Sequence, residues 1–309
     1  MSTYIARLHA AIRRTGTGAL VGLDPRWELL PQPVRDAAGG DGPSDRARAY
    51  EEFCCGVIEE VRDLVPAVKP QSAFFEQLGP PGVAGLQRVI QTARDAGLIV
   101  ILDAKRGDIG STAEAYAAGL IAGEDPDAAP VAADALTISP YLGPDTLEPF
   151  VERADAVGGG LYVLVRTSNP QSAAFQDRTT GGQTLYEAIG AHVESLNADR
   201  TQSDGYGSVG AVIGATYPEE LVTLRKAMPS TPLLIPGYGS QGGTAADVRA
   251  AFDAEGFGAL VNSSRGILFA FRKQPHASEF GEDGWRASVR AATEAMIEDL
   301  RGPREAASA

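Results

Sequence analysis

The chain has 309 residues, of which 44% are hydrophobic and 22% are charged, and its formal net charge is −13. This composition is ordinary for a globular enzyme with a full core, whereas the acidic balance argues against binding to nucleic-acid phosphates or to anionic membranes. No stretch approaches the roughly eighteen consecutive apolar residues that a membrane-spanning helix needs.

The start of the chain predicts a helix. In residues 1–15 the apolar side chains recur at helical spacing, which favours an amphipathic helix of the fold over a targeting segment. The two cysteines, Cys54 and Cys55, are adjacent and cannot close a long loop, so we expect reduced thiols and a cytoplasmic protein. The three histidines lack the spacing of metal ligands, and we expect no metal site.

Apolar strands then alternate with helical segments. The predicted strands lie in GALVGLDPRW, VPAVKPQ, LIVILDAK, AADALTISPY, GLYVLVRTSNP, SVGAVIGATYP, PLLIPGYGSQGG and FGALVNSSRG. Helical patterns cover residues 45–64, 80–97, 111–120, 144–153, 183–196, 219–228, 244–254 and 285–301, and residues 302–309 are predicted to be a frayed tail. This alternation predicts an α/β fold, a (β/α)8 TIM barrel with an N-terminal helix. No linker divides the chain, so residues 1–309 are predicted to form a single domain.

Charged and polar residues stand at the carboxyl ends of these strands, where the loops of a barrel build the active site. The apolar residues 98–102 lead directly into Asp103, and Lys105, two residues later, is expected to point to the same side. A structural ion pair is the simple alternative. The further candidates at this rim are Asp24, Lys69, Ser168, Gln241 and Arg265. Because burying several charges is costly unless they are paired, their joint occurrence favours a ligand site.

Residues 237–242, GYGSQG, match the G-x-G-x-x-G dinucleotide fingerprint. They follow the seventh strand, however, and no acidic residue stands where a ribose 2′-hydroxyl contact requires one, so we expect no nicotinamide cofactor. The same glycines would let the backbone approach a phosphate, the next helix would offer unpaired N–H groups, and strands seven and eight commonly bind phosphate in such barrels. Arg265 would add a forked donor. A tight turn with a surface arginine is the alternative.

The segment DAKRGDIGST, residues 103–112, resembles the D-x-K-x-x-D-I signature of the orotidine 5′-phosphate decarboxylase family. The segments VGLDP, VKPQSAFFEQLG, VRTSNP, PGYGSQGG and SSRGI are similar to the longer bacterial branch of that family, type 2, in matching order from about Gly18 to Ala270. The resemblance implies decarboxylation of orotidine 5′-phosphate to uridine 5′-phosphate (UMP) and carbon dioxide without a cofactor, the last step of de novo UMP synthesis.

The resemblance also implies roles for single residues. Lys69, Asp103, Lys105 and Asp108 would form an alternating Lys-Asp-Lys-Asp catalytic array, with Asp108 donated by the partner subunit of a homodimer. The implied substrate-binding residues are Asp24, Thr112 (again from the partner), Ile109, Ser168, Pro236, Gln241 and Arg265. Because TSNP differs from the sequence of the shorter branch, Thr167 or Asn169 could contact the pyrimidine in place of Ser168.

Three other functions fit part of the pattern. A metal-dependent decarboxylase or aldolase of a phosphorylated sugar acid could use Asp24 and Asp103 as Mg²⁺ ligands. A Schiff-base aldolase could use Lys69 or Lys105 as its nucleophile, and a phosphate-ligand binding protein could keep the site without turnover. Residues 171–182 are predicted to be a polar loop, and the sequence does not decide whether that loop is a lid.

Overall fold

The computed structural model of the chain describes residues 2–239 and 242–305, the last four by their backbone only. Within these residues, eight parallel strands close into a barrel in which each strand pairs with its neighbours in sequence and the last pairs with the first. The strands are β1 (Ala19–Leu23), β2 (Ala67–Pro70), β3 (Ile99–Arg106), β4 (Ala135–Ile138), β5 (Gly160–Arg166), β6 (Val209–Ile213), β7 (Leu233–Pro236) and β8 (Ala259–Ser263). This order confirms the predicted (β/α)8 barrel.

Helices fill the connections between the strands. They are α1 (Tyr4–Thr15), α2 (Gln32–Ala37), α3 (Pro43–Val61), α4 (Ser72–Glu76), α5 (Pro80–Asp95), α6 (Gly110–Leu120), α7 (Glu148–Val157), α8 (Ala173–Gln176), α9 (Leu185–Leu196), α10 (Pro218–Ala227), α11 (Ala245–Val248), α12 (Arg265–Leu268), α13 (His276–Glu279) and α14 (Trp285–Glu305). Among the helices of the described residues, none combines the length and the apolar character needed to cross a membrane.

The strands are apolar on both faces because each is covered on both sides. All five residues of β6 are buried, for example. Outward-facing side chains pack against the helices, and inward-facing side chains from every strand fill the barrel itself. The inward set includes Leu20, Ala67, Ile99, Ile101, Ala135, Tyr162, Val212, Leu234 and Leu260. The interior of the barrel is therefore a packed core, and a ligand of this fold would bind beyond the strand ends.

The first helix closes the amino-terminal end of the barrel. Tyr4, Ile5 and Leu8 of α1 are buried against the inward-facing side chains. The Tyr4 hydroxyl lies 3.0 Å from the Tyr162 hydroxyl, and a Cβ at Gly160 would stand 2.3 Å from the Tyr4 ring. Only glycine permits this close approach. The helix belongs to the fold, as predicted.

Four predicted segments differ in the structure. The segment 144–153 divides into a 3-10 turn, Pro144–Thr146, and α7, because Pro144 and Pro149 each favour a first helical turn. Residues 171–182 contain α8 and the first strand of a small hairpin, Thr179–Thr180 paired with Gln183–Thr184.

The two other differences concern the last units of the chain. The helix predicted over 244–254 is only α11 and a 3-10 turn, since Phe252 leaves the helical conformation and its ring lies against Gly18. The last helix continues from its predicted end near Arg301 to Glu305, so the predicted frayed tail begins in helical conformation. Residues 306–309 of that tail lie outside the described residues.

Candidate functional site

Asp103, near the carboxyl end of β3, is the centre of a hydrogen-bond network. Its side chain is only 10% exposed. The Oδ2 atom accepts hydrogen bonds from Lys69 Nζ at 2.8 Å and from Gln71 Nε2 at 2.9 Å. The Oδ1 atom accepts from Lys105 Nζ at 2.6 Å and from Thr137 Oγ1 at 3.0 Å. Side chains from β2, β3 and β4 and from the residue after β2 thus converge on one carboxylate.

The charges of this network hold one another ionised. Burial by itself would lower the pKa of Lys69, but the nearby carboxylates of Asp103 and Asp24 raise it above its ordinary value. Burial would likewise raise the pKa of Asp103, but the two ammonium groups of Lys69 and Lys105 bring it well below its ordinary value. At neutral pH, Lys69 and Asp103 are therefore a charged pair.

Lys105 differs from Lys69 in both exposure and backbone. Its side chain is 47% exposed, whereas that of Lys69 is 5% exposed. The prediction that Asp103 and Lys105 point to the same side is correct in outcome, but regular alternation does not produce it. The pairing of β3 with β4 is irregular between Leu102 and Arg106, and Lys105 has a φ of 48°.

The fourth predicted member of the array, Asp108, lies apart from it. Its Oδ1 atom accepts a hydrogen bond from the backbone N–H of Ile109 at 2.8 Å. Within the described part of this single chain, Asp108 forms no hydrogen bond or ion pair with Lys105. Ile109 is 63% exposed, and Thr112, in the first turn of α6, is also exposed. One chain alone therefore does not assemble the four-residue array.

Buried polar atoms without partners lie at the ends of β1 and β8. Over the described residues, Asp24 Oδ1, Asn262 Oδ1 and Ser264 Oγ are buried and form no hydrogen bond. Asn262 and Ser264 both border Gly22, two residues before Asp24. Buried polar groups normally have partners, so hydroxyl groups of a ligand would complete this part of the rim. The predicted ribose-binding residue Asp24 lies here.

The residues after β5 separate the three candidates for a pyrimidine contact. Thr167 Oγ1 donates to Asn169 Oδ1 at 2.6 Å and accepts from Gln176 Nε2 at 2.7 Å. Ser168 is half-buried against Gly214, beyond the end of β6, and its hydroxyl makes no hydrogen bond to any described residue. Of the two hydroxyls, that of Thr167 is committed to Asn169 and Gln176, and that of Ser168 is uncommitted.

Buried Arg166, at the end of β5, supports this loop. Its guanidinium lies 4.0 Å from the ring centroid of Tyr217 and 5.2 Å from that of Tyr186. It forms ion pairs with Asp177 at 2.8 Å and with Glu220 at 3.7 Å. A cation between two aromatic rings and two carboxylates holds together the segments that follow β5 and β6.

The described part of the glycine-rich loop after β7 contains three glycines with positive φ. The φ values are 101° at Gly237, 68° at Gly239 and 94° at Gly242. A residue with a side chain would be strained in this backbone conformation. The next helix is capped reciprocally by Thr244 and Asp247, so part of its N–H set, expected to be open to phosphate, is already satisfied. The predicted phosphate ligand Gln241 lies outside the described residues.

Two other predicted residues flank this loop. Pro236, at the end of β7, is half-buried and accepts a hydrogen bond from the N–H of Ala215 at 2.9 Å. Arg265 is the exposed first residue of α12, directly after β8. The ends of β7 and β8 are adjacent in the barrel. Pro236 and Arg265 therefore stand on neighbouring strand ends, as a phosphate site after strands seven and eight requires.

Sequence reasoning missed three residues of this rim. Gln71 follows Lys69 by two positions and Thr137 follows the inward-facing Ala135 by two, so the period of a strand could have found both. Arg166 carried no such signal, because its surroundings come from residues remote in sequence.

The arrangement places a half-exposed ammonium against a carboxylate that three further donors hold in place. Such a preorganised group can stabilise negative charge that develops on a substrate and can donate a proton to it. Among the described residues, no three His, Cys, Asp or Glu side chains come together as metal ligands would.

Comparisons with known proteins agree on one family. Residues 20–280 match the model of the "Orotidine 5'-phosphate decarboxylase / HUMPS family". A protein of Rhodopirellula baltica named orotidine 5′-phosphate decarboxylase is 54% identical over 98% of this chain and 100% of its own length. One of Deinococcus radiodurans with the same name is 47% identical over 82% of this chain and 85% of its own. The structure of Leishmania donovani OMP decarboxylase superposes with a TM-score of 0.75, at 33% identity and 98% coverage of each chain.

Proposed function

Since the chain belongs to the orotidine 5′-phosphate decarboxylase family, we propose that the network around Asp103 performs the family's reaction at the carboxyl end of the barrel. That reaction converts orotidine 5′-phosphate to UMP and carbon dioxide in pyrimidine biosynthesis, and it needs no cofactor. The observation that carries the proposal is the bonding of both Lys69 and Lys105 to the two oxygens of Asp103.

The chemistry demands stabilisation of a carbanion. Loss of carbon dioxide from C6 of the pyrimidine leaves an electron pair that the ring cannot delocalise. An ammonium placed beside C6 stabilises that charge and then donates the proton that replaces the carboxylate, which is the role of Lys105. Asp103 orients Lys105, and Lys69 keeps Asp103 ionised through their 2.8 Å contact. Asp108 of the partner subunit completes the alternating array.

The substrate is bound along the rim from β1 to β8. The orphaned oxygen of Asp24 supports a contact to ribose hydroxyls, and the uncommitted hydroxyl of Ser168 supports a contact to the pyrimidine. Pro236 lines the base pocket, and Gln241 and Arg265 bind the phosphate. Binding energy from the remote phosphate helps to hold the pyrimidine against Lys105.

We propose further that the chain acts as a homodimer in which Ile109 and Thr112 join Asp108 at the partner's site. Large apolar side chains support this proposal, because they are exposed on the segments that follow three neighbouring strands, β3, β4 and β5. They are Ile109, Tyr116, Tyr141, Leu142 and Phe175, with Tyr141 82% exposed. A surface of this kind marks a site of protein association.

Mixing two inactive variants tests the shared site. A dimer of one Lys105→Ala chain and one Asp108→Ala chain contains one site with both residues intact, so random reassociation should restore roughly a quarter of the wild-type activity. The recovered activity should appear only after subunit exchange, which mass spectrometry of the mixed dimers measures. Mixed dimers without turnover would count against a site that two chains share.

Turnover of orotidine 5′-phosphate tests the function directly. Purified protein with an excess of chelator should release carbon dioxide and UMP at the rate seen without chelator. The loss of the orotate absorbance measures this rate. A rate abolished by chelator and restored by Mg²⁺ would favour the metal-dependent alternative, in which Asp24 and Asp103 are ligands. Covalent trapping of a carbonyl substrate by borohydride would favour the Schiff-base alternative. The cytoplasmic location and the single domain remain predictions.

A further inference from the structure

We propose that Thr137 is a positioning residue that fixes both the backbone of Lys105 and the carboxylate to which the Lys105 ammonium binds. The proposal rests on the proposed role of Lys105 as proton donor. Its starting point is the backbone: Lys105, with a φ of 48°, is the one non-glycine residue with positive φ in the described ranges. Such a conformation persists only where the surroundings enforce it.

The side chain of Thr137 supplies that enforcement. Between Leu102 and Arg106 the backbones of β3 and β4 lose their regular register. In this gap, Thr137 Oγ1 accepts hydrogen bonds from the backbone N–H groups of Ala104, at 3.0 Å, and of Lys105, at 2.9 Å. The hydroxyl oxygen thus takes the place of the backbone carbonyl of a regular strand.

The same hydroxyl reaches the catalytic carboxylate. Its proton is donated to Asp103 Oδ1 at 3.0 Å. A hydroxyl has one proton and two lone pairs, so the three contacts use its whole capacity. Thr137 is 1% exposed, and water does not compete for these bonds.

One atom therefore determines two parts of the geometry. The N–H contacts set the direction in which the Lys105 side chain leaves the backbone, and the Oδ1 contact sets the orientation of the carboxylate that binds Lys105 Nζ at 2.6 Å. Without the hydroxyl, the Lys105 side chain would lose its place relative to C6. Thr137 would act through Lys105 and Asp103 without touching the substrate.

Two matched pairs of residues isolate the hydroxyl. Thr137→Val removes the hydroxyl and keeps nearly the same side-chain shape. Thr137→Ala removes the same hydroxyl relative to Thr137→Ser, at a smaller side-chain volume. We expect kcat to fall about 10²-fold from Thr to Val and from Ser to Ala, the scale of a displacement of about 1 Å in an active site. KM for orotidine 5′-phosphate should change less than about 3-fold, because the phosphate and ribose contacts lie on other strands.

The outcomes separate this proposal from a structural role and from the proposed function. UMP binding by calorimetry and thermal unfolding establish that each variant is folded. If Thr137→Val does not fold, the Ser and Ala pair decides. A kcat that follows side-chain volume and not the hydroxyl overturns the proposal, as does a loss confined to KM or to stability. If the wild-type protein itself does not turn over orotidine 5′-phosphate, the proposed function fails.

Discussion

The two ends of the barrel bury polar groups in different ways. At the amino-terminal end, the hydroxyls of Tyr4 and Tyr162 pair inside an apolar cluster. The buried carboxylate of Asp134 at this end is bonded to Arg7 of α1 and to the N–H of Val100. At the carboxyl end, Asp103 collects four donors, while Asp24 Oδ1 and Asn262 Oδ1 have none among the described residues.

This contrast follows from the parallel strands. All carboxyl ends meet at one rim, and the segments that follow them can vary without disturbing the packed interior. At the closed end, the Tyr4–Tyr162 pair and the carboxylate of Asp134 have their partners within the protein, and these contacts contribute to stability. The open end keeps polar groups whose partners a substrate would supply, so changes at the two ends should affect different measurements.

The largest expected effect is at the open end. Lys105→Ala should lower kcat by about 10⁴-fold, the upper range for loss of a proton donor, while UMP binding stays close to wild type. Steady-state kinetics and calorimetry measure the two. Lys226→Ala, at an exposed position of α10, is the matched control and should retain full activity. Retained turnover in Lys105→Ala would falsify the assigned role.

At the closed end we expect a substitution to lower stability and to leave activity unchanged. Leu8→Ala removes a side chain that is 2% exposed beneath the barrel, and we expect it to lower the unfolding free energy by about 2–5 kcal/mol. Because Leu8 is remote from Asp103, kcat of the folded protein should be unchanged. Urea unfolding and kinetics are compared with Val222→Ala, at a position 38% exposed, which should lower stability far less. A fall of kcat in Leu8→Ala would contradict the separation of the two ends.

The smallest effect is a difference in the pH dependence of stability. The Lys69 and Lys105 ammonium groups outweigh burial and lower the pKa of Asp103 in the folded protein. A carboxyl of this kind contributes stability that is fully present above its unfolded pKa, about 4, and is lost as the pH falls through the lower folded pKa.

We therefore expect the difference in unfolding free energy between wild type and Asp103→Asn to narrow as the pH falls below about 4. Urea unfolding across this range gives the measurement. Leu8→Ala, which removes no charge, should keep a constant difference from wild type. If the difference in unfolding free energy between wild type and Asp103→Asn does not change with pH, the ionisation of Asp103 does not contribute to the pH dependence of stability.

Sequence reasoning recovered the repetitive part of the molecule. The eight strands were found because runs such as residues 98–102 are apolar without interruption, and α1 because its apolar residues recur at helical spacing. The juxtaposition of Asp103, Lys69 and Lys105 followed from parallel strand ends meeting at one rim. Local sequence was enough wherever an element repeats a simple period.

The remainder depends on contacts between distant residues. The positive φ of Lys105 is set by Thr137 on the neighbouring strand, and the surroundings of Arg166 come from Tyr186, Tyr217 and two carboxylates. Likewise Phe252 ends a predicted helix because its ring packs on Gly18. None of these could be predicted from a local pattern, since the partner determines the conformation.

The position of α1 has a consequence for biosynthesis. Tyr4 and Leu8 are synthesised before all eight strands, yet the surface that buries them includes Leu260 of the last strand. At ordinary translation rates of about 5–20 residues per second, the apolar face of this helix waits on the order of tens of seconds for its binding surface. This helix, made before the strands, is thus among the last elements that can be buried, and a nascent chain needs to keep its apolar face from associating with other chains until β8 has emerged.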